Sequence, residues 1–142
     1  MKHNLLFVED NKALLSTYCE YFSQHHYRVK GVDNWQDAQK SLVQRLYSLV
    51  VTDIRLEPGE SNGGVKVIEW VRSSRPGTPV LVLTAVTDAN LSRELRALGA
   101  YDILTKPIPL AELELIVRNT LAELYNNHWP NLPTPPLAAT CD

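Results

Sequence analysis

Short apolar runs and amphipathic stretches alternate five times along this chain, and this rhythm constrains the fold more than any other feature. The apolar runs cover residues 5–8, 27–32, 49–51, 80–83 and 103–104. They are strand-sized, and most are uniformly apolar rather than alternating with polar residues. Strands of this kind are typical of a parallel sheet that is covered by helices on both faces.

The stretches between the runs have helical periodicity and local boundary signals. The candidate caps and stops are Asn11, Asp33 or Asn34, Asp88, Gly99 and Pro109. In the second helix, the predicted buried face carries Ala38, Leu42 and Leu46. Right-handed crossovers then predict an α/β fold, a flavodoxin-like doubly wound (βα)5 domain with a five-stranded parallel sheet of order 2-1-3-4-5.

Composition excludes several classes of protein. The 142 residues are 44% hydrophobic with a formal net charge of −2, so the chain is neither a disordered polyelectrolyte nor a nucleic-acid coat. No run approaches the ~18 apolar residues of a membrane span, and the first run is shorter than the ~7–15 residues of a secretory signal core. Cys19 and Cys141 have no ligand-type spacing. A reduced, cytoplasmic protein is therefore expected.

Proline is concentrated at the carboxyl end. Four of the nine prolines lie within residues 127–142, and that stretch resembles an extended linker. We expect a folded domain over residues 1–126 and a Pro-rich tail or interdomain linker over 127–142. A linker of this kind suggests that the chain is one piece of a longer protein.

Polar side chains stand at the predicted carboxyl ends of four strands: Glu9 and Asp10 after the first, Asp53 at the third, Thr84 at the fourth and Lys106 after the fifth. In the predicted strand order these ends are neighbours, so the side chains converge on one crevice. Three carboxylates would repel one another unless a cation intervenes. Lys106 neutralises one charge, and oxygen-only ligands favour Mg²⁺ for the remainder. A carboxylate beside Mg²⁺, a lysine and a hydroxyl is suited to phosphoryl transfer.

The motifs around these residues resemble the receiver domain of two-component response regulators over about residues 3–125. They are Phe7-Val8-Glu9-Asp10-Asn11, Thr52-Asp53-Ile54-Arg55-Leu56, Leu83-Thr84-Ala85 and Leu104-Thr105-Lys106-Pro107. The resemblance implies that Asp53 accepts a phosphoryl group, that Lys106 and Thr84 contact it, and that the peptide before Pro107 is cis. It also implies a Mg²⁺ site made by Glu9, Asp10, Asp53 and the backbone carbonyl of Arg55.

The resemblance further implies the partners. A sensor histidine kinase or a histidine phosphotransfer protein would donate the phosphoryl group, and the phosphorylated state would change the interaction with a partner or with an output domain beyond residue 142. The implied role is that of a signalling module rather than an enzyme, without a membrane segment and without direct nucleic-acid binding by this domain. A homodimer on phosphorylation is left open.

Three features depart from the family pattern. Ile103 replaces the usual aromatic residue three positions before the lysine, and Tyr101 is expected on the same strand face but further from the site. The glycine-containing loop 57–64 has an apparent insertion of two or three residues, which a surface loop tolerates. Arg55 and Val86 are hypothesised to tune the lifetime of the acyl phosphate.

Three alternative functions compete with this interpretation. A haloacid-dehalogenase-type phosphatase needs a second Asp two residues after the nucleophile, where this chain has Arg55. A flavodoxin-type FMN binder needs a phosphate-cradling loop where Glu9 and Asp10 would repel phosphate. A degenerate receiver that binds partners without phosphorylation remains open because of Ile103.

The remaining singular side chains are interpreted as structural. The four histidines lie outside the strand-end set and are expected at the surface; they are His3, His25, His26 and His128. Trp35 and Trp70 are expected to pack their helices against the sheet.

Overall fold

A computed structural model of the chain describes residues 2–55, 63–85 and 88–127. Five parallel strands form one sheet of order β2-β1-β3-β4-β5. In chain order, the elements are β1 (Asn4–Val8), α1 (Lys12–Ser23), β2 (Arg28–Val32), α2 (Trp35–Gln44), β3 (Leu49–Asp53), α3 (Gly63–Ser74), β4 (Val80–Thr84), α4 (Ala89–Leu98), β5 (Asp102–Thr105), α5 (Leu110–Ala122) and a π-helical segment, Glu123–Asn127. The predicted α/β fold class and strand order are confirmed.

Local capping explains where the helices begin. The Asn11 side chain accepts a hydrogen bond from the Leu14 N–H at the start of α1, and Asp88 caps α4 in the same manner. At α2 the sequence left two candidates, and Asn34 is the cap, since its Oδ1 accepts from the Asp37 N–H. Each cap satisfies an amide that would otherwise lack a partner at the first turn.

Two hydrophobic layers cover the sheet, one on each face. The layer below α2, α3 and α4 is built around Leu6, Val50 and Val82, and the layer below α1 and α5 around Phe7, Val51 and Leu83. Neighbouring residues of one strand thus alternate between the two layers, as the pleat requires. Because both faces are buried, the central strands have no polar alternation. Trp35 and Trp70 pack against the first layer as predicted.

Three interpretations from the sequence are wrong. Helix α2 ends at Gln44, and the side chain of Leu46 is 70% exposed rather than part of the buried face. Tyr101 precedes β5 and packs against the layer below α1 and α5, whereas Ile103 packs against the layer below α2, α3 and α4. His3 is half-buried, with its Nδ1 2.9 Å from Oγ of Ser48, and is not a simple surface group.

The π-helical segment lies against the body of the domain. Tyr101 donates a hydrogen bond to Glu123, and the Tyr125 hydroxyl donates to the Ser48 carbonyl at 3.1 Å. The ring of His3 lies 5.3 Å from that of Tyr125. These contacts fix the segment that follows α5 against the amino-terminal ends of β1, β3 and β5. His128 and the rest of the tail predicted over 127–142 lie outside the described residues, apart from Asn127. Among the helices of the described part, none has the length and apolarity to cross a membrane.

Candidate functional site

Three carboxylates meet at the carboxyl end of the sheet. Glu9 and Asp10 directly follow β1, and Asp53 is the last residue of β3. The strands β1 and β3 are paired, with Val8 opposite Thr52, so the acids that follow or end these two strands lie at the same place. One oxygen from each of the three carboxylates can be chosen so that all lie within 4.8 Å of one another. The predicted convergence of these residues is confirmed.

Lys106 contacts two of the three carboxylates. Its Nζ donates hydrogen bonds to Oε1 of Glu9 at 2.9 Å and to Oδ2 of Asp53 at 3.0 Å. The lysine follows β5, and its backbone N–H donates to the carbonyl of Thr84 at 2.8 Å. The peptide bond between Lys106 and Pro107 is cis. The charge of the cluster is −2, from three carboxylates and one ammonium.

Burial shapes the electrostatics of the cluster. Glu9 is only 2% exposed, and the loss of water raises the pKa of its carboxyl group above its ordinary value, although Lys106 and the Asn11 N–H oppose the shift. For Lys106, burial alone would lower the pKa, yet its bonds to Glu9 and Asp53 outweigh this and the pKa is raised. The lysine is therefore held as a cation between two acids.

Thr84 and Arg55 lie beside the acids. Thr84 is the last residue of β4 and is buried; it follows Leu83, which pairs with Asp53. The Arg55 N–H donates to Oδ1 of Asp53 at 3.3 Å, and residue 55 is exposed. The roles predicted for the Thr84 hydroxyl and the Arg55 carbonyl stay predictions.

A close backbone approach that the sequence motifs do not reveal supports the position of Asp53. The Gly64 N–H donates to the Ile54 carbonyl at 3.1 Å. A Cβ at Gly64 would overlap the carbonyl oxygen of Asp53 and lie 2.7 Å from Cα of Ile54. Only glycine lets α3 begin this close to the end of β3. The signal available in the sequence is the Gly63-Gly64 pair, which by composition alone predicts only a loop.

The donor set fits a hard divalent cation. Glu9, Asp10 and Asp53 offer carboxylate oxygens only, without histidine or cysteine among the three. Oxygen ligands of net negative charge suit Mg²⁺ or Ca²⁺ rather than Zn²⁺. The cluster can therefore bind a divalent metal ion.

The structure describes Ile103 in full, but it describes the loop 57–64 and the pair Arg55 and Val86 only in part. Ile103 is half-buried and packs with the α2–α4 layer, so the position holds an aliphatic packing residue. The loop predicted as an insertion over 57–64 lies outside the described residues up to 62, and its last two residues begin α3. Val86 also lies outside the described residues.

A family model and two curated proteins match this chain. The family model described as the response regulator receiver domain matches residues 5–118. The response regulator protein FleR of Pseudomonas aeruginosa is 30% identical over 125 residues, which are 87% of this chain and 26% of FleR. The transcriptional regulatory protein ZraR of Klebsiella oxytoca is 28% identical over 77% of this chain and 24% of ZraR. The chain thus spans about a quarter of the length of these curated relatives.

Solved structures agree with the fold. The signal receiver domain of a putative LuxO repressor protein from Vibrio parahaemolyticus superposes with a TM-score of 0.78 at 27% identity, covering 87% of this chain and 93% of that domain. The non-phosphorylated HemR receiver domain from Leptospira biflexa gives 0.77 at 28% identity, covering 85% and 95%.

Proposed function

The chain belongs to the response regulator receiver domain family of two-component systems. We propose that it accepts a phosphoryl group on Asp53 in a Mg²⁺-dependent reaction. The observation that carries the proposal is the position of the Asp53 carboxylate. It is within reach of two further carboxylates and is hydrogen-bonded to a lysine. An isolated surface aspartate would have neither.

The proposed step transfers a phosphoryl group from a nitrogen atom to an oxygen atom. The phosphorus–nitrogen bond of a phosphohistidine breaks, a bond forms between phosphorus and a carboxylate oxygen of Asp53, and the imidazole nitrogen keeps the electron pair. A bound Mg²⁺ would offset the charge of the phosphoryl oxygens. Glu9, Asp10, Asp53 and the Arg55 carbonyl would hold that ion.

The chain's own residues would then stabilise the product. Lys106 already holds Asp53, and in the phosphorylated state its ammonium would transfer one hydrogen bond to a phosphoryl oxygen while retaining Glu9. The Thr84 hydroxyl, at the end of the neighbouring strand, would supply a second hydrogen bond. The Thr84 contact forms only at the phosphoryl group, so it favours the phosphorylated state, whereas the Lys106 contact replaces a bond that the ammonium already makes to the carboxylate.

The biological setting is part of the proposal. The donor would be a sensor histidine kinase or a histidine phosphotransfer protein in the cytoplasm. The phosphorylated state would alter the interaction with an output domain or partner, or promote a homodimer. The chain would accept one phosphoryl group per signalling event rather than turn over a substrate, so we do not class it as an enzyme.

Acetyl phosphate tests the proposal directly. Incubation of the protein with acetyl phosphate and Mg²⁺ should add the mass of one phosphoryl group, and Asp53→Asn should abolish the addition. Asp37→Asn is the matched control, since Asp37 is an exposed acid in the first turn of α2. If wild type stays unmodified under these conditions and with a phosphorylated kinase, the chain is a receiver that binds partners without phosphorylation, which the aliphatic Ile103 would suit. If Asp53→Asn is still modified, the acceptor is wrongly assigned.

A further inference from the structure

We propose that the outer edge of β2 docks an extended acidic peptide segment of a partner protein, which adds to the sheet as a further strand. This surface is separate from the Asp53 site, so the proposal goes beyond phosphoryl acceptance and does not depend on it. Four observations carry it: the free backbone groups of the edge, a groove beside it, the charge of that groove and one unsatisfied amide oxygen.

The strand β2 ends the sheet on one side. The Arg28 N–H donates to the His3 carbonyl and the Glu9 N–H donates to the Val32 carbonyl, so the even-numbered residues of β2 direct their backbone groups toward β1. In a parallel ladder the intervening residues direct theirs the opposite way. Val29 and Gly31 therefore present N–H and C=O groups at the outer edge, where an added strand can pair.

A groove runs beside this edge. One cavity of about 440 Å³ is lined by residues of α1, β2 and α2, including Leu15, Gly31 and Gln44. A second cavity of about 210 Å³ continues toward the amino-terminal end of β2 and shares Lys30, Ser41 and Gln44 with the first. A peptide pairing with β2 would thus have room on one side for its alternate side chains.

The charge of the groove selects an acidic occupant. The second cavity is lined by the cations Arg28, Lys30 and Arg45 and by no carboxylate. Within the described part of the chain, neither Lys30 nor Arg45 takes part in an ion pair. The acids of the first cavity are already engaged: Asp33 lies 3.8 Å from Lys12, and Asn34 donates to both Asp33 and Asp37. Acidic side chains are the complement that this end of the groove lacks.

An unsatisfied acceptor lines the same cavity. Oδ1 of Asn4 is buried and has no hydrogen-bond partner among the described residues. A buried acceptor without a donor costs free energy. A peptide supplies such donors in its backbone amides and in hydroxyl side chains, and it can extend through both cavities, for which a phosphate ion is too small. The occupant suited to the whole groove is therefore a peptide rather than a free phosphate ion.

A second copy of this chain fits the edge less well. If two β2 strands paired antiparallel with Val29 opposite Gly31, Lys30 would face Lys30 of the other copy, and like charges opposite one another are destabilising. Basic side chains on an edge strand also discourage self-pairing. An acidic partner converts the same charges into attraction.

The experiment uses the full chain and a fluorescein-labelled peptide of alternating glutamate and valine with blocked ends. Fluorescence anisotropy should show saturable binding, and a peptide with lysine for each glutamate should not bind. Lys30→Glu should weaken binding about tenfold. Val29→Pro removes one outward N–H without touching the ladder to β1, and should also weaken binding about tenfold. Circular dichroism should show that both variants remain folded.

Arg93→Glu is the matched control, because Arg93 is an exposed cation on α4 and its substitution changes the net charge equally. Its binding should equal that of wild type. The proposal is overturned if Arg93→Glu loses binding as Lys30→Glu does, because the attraction would then be general. It is overturned if Val29→Pro binds normally, which would mean ionic contact without strand addition. Sedimentation showing a wild-type dimer that Val29→Pro dissociates would also overturn it, since a second copy would then occupy the edge.

Discussion

The ammonium of Lys106 lies 3.0 Å from the Asp53 carboxylate and donates a hydrogen bond to its Oδ2. This bond has opposite consequences for a metal ion and for a phosphoryl group. Lys106→Met would change the charge of the cluster from −2 to −3 and free two acids. We therefore expect Mg²⁺ to bind about three- to tenfold more tightly to the variant, measured by calorimetry, while the yield of phosphorylated protein from acetyl phosphate falls.

The opposed directions make this prediction specific. A variant that merely disturbs the site would weaken both properties together. Lys66→Met on α3 serves as a control of the same chemistry outside the cluster and should leave both unchanged. Weaker Mg²⁺ binding in Lys106→Met would show that the lysine organises the acids more than it competes with the metal.

Gly64 should be intolerant of any side chain. In Gly64→Ala, the added Cβ would meet the backbone of Asp53 and Ile54, so α3 must shift away from the end of β3. We expect a loss of about 2–4 kcal/mol in the free energy of unfolding, measured with urea, because overpacking against backbone is not relieved by a change of rotamer. Glu69→Ala, at an exposed position of α3, should change it by less than about 0.5 kcal/mol.

A shift of α3 should also reach the acid cluster. The displaced Asp53 would weaken Mg²⁺ binding in whatever fraction of Gly64→Ala remains folded. Unchanged stability together with unchanged Mg²⁺ binding would mean that α3 is not fixed by this contact.

The sequence predicts the strand order and the convergence of Glu9, Asp10, Asp53 and Lys106 for one physical reason. Parallel strands joined by helices all end at the same edge of a sheet, so residues that follow them are brought together by topology alone. Local caps are equally predictable, as at Asn11 and Asp88, since a cap bonds only to its own first turn.

Contacts made across the fold were not predictable in the same way. Leu46 continues the helical spacing of Leu42, but the chain at Arg45 is extended and the pattern outlasts the helix. Strand alternation predicts Tyr101 on the same face as Ile103, yet Tyr101 precedes β5 and is oriented by its hydrogen bond to Glu123. His3 bonds a residue 45 positions away. The positions of Tyr101 and His3 depend on distant partners, and the end of α2 depends on the backbone at Arg45. Periodicity reveals none of these.

The buried carboxylate of Glu114 in α5 should make a separate contribution to acid stability. The Tyr27 hydroxyl donates to Oε2 of Glu114 at 2.9 Å, and Arg118 donates to Oε1 at 2.8 Å. The hydrogen bond from Arg118 is the main cause that lowers the pKa of Glu114 below its ordinary value of 4.5. Its stabilising effect is therefore complete above about pH 4.5 and is lost as the pH falls toward the pKa of the folded state.

Glu114→Gln should consequently have a lower free energy of unfolding than wild type at pH 7. This difference between the two proteins, the stability gap, should narrow as the pH falls below about 4.5. Urea unfolding at pH 7 and pH 3.5 measures both gaps. Glu112→Gln, at an exposed position of the same helix, should show no such convergence. A gap of constant size would attribute the loss to packing rather than to ionisation.

His3 should give the domain a second pH dependence, of the same sign but nearer neutrality. Burial lowers the pKa of its imidazole below the ordinary value of 6.5, because the charged form loses water between Ser48 and the ring of Tyr125. The unfolded chain therefore takes up the proton first as the pH falls. Stability is complete above about pH 6.5 and decreases as the pH falls from there toward the folded pKa.

Replacing His3 should remove this dependence. His3→Gln keeps a hydrogen-bonding side chain near Ser48 without a titrating ring, so its free energy of unfolding should change less than that of wild type between pH 7.5 and pH 5.5. His26→Asn is the matched control: His26 is an exposed histidine with a positive φ of 72°, which asparagine tolerates. That variant should retain the full pH dependence. The prediction is wrong if His26→Asn reduces the pH dependence of the free energy of unfolding and His3→Gln does not. His3 would then not be the group that links stability to pH between 5.5 and 7.5.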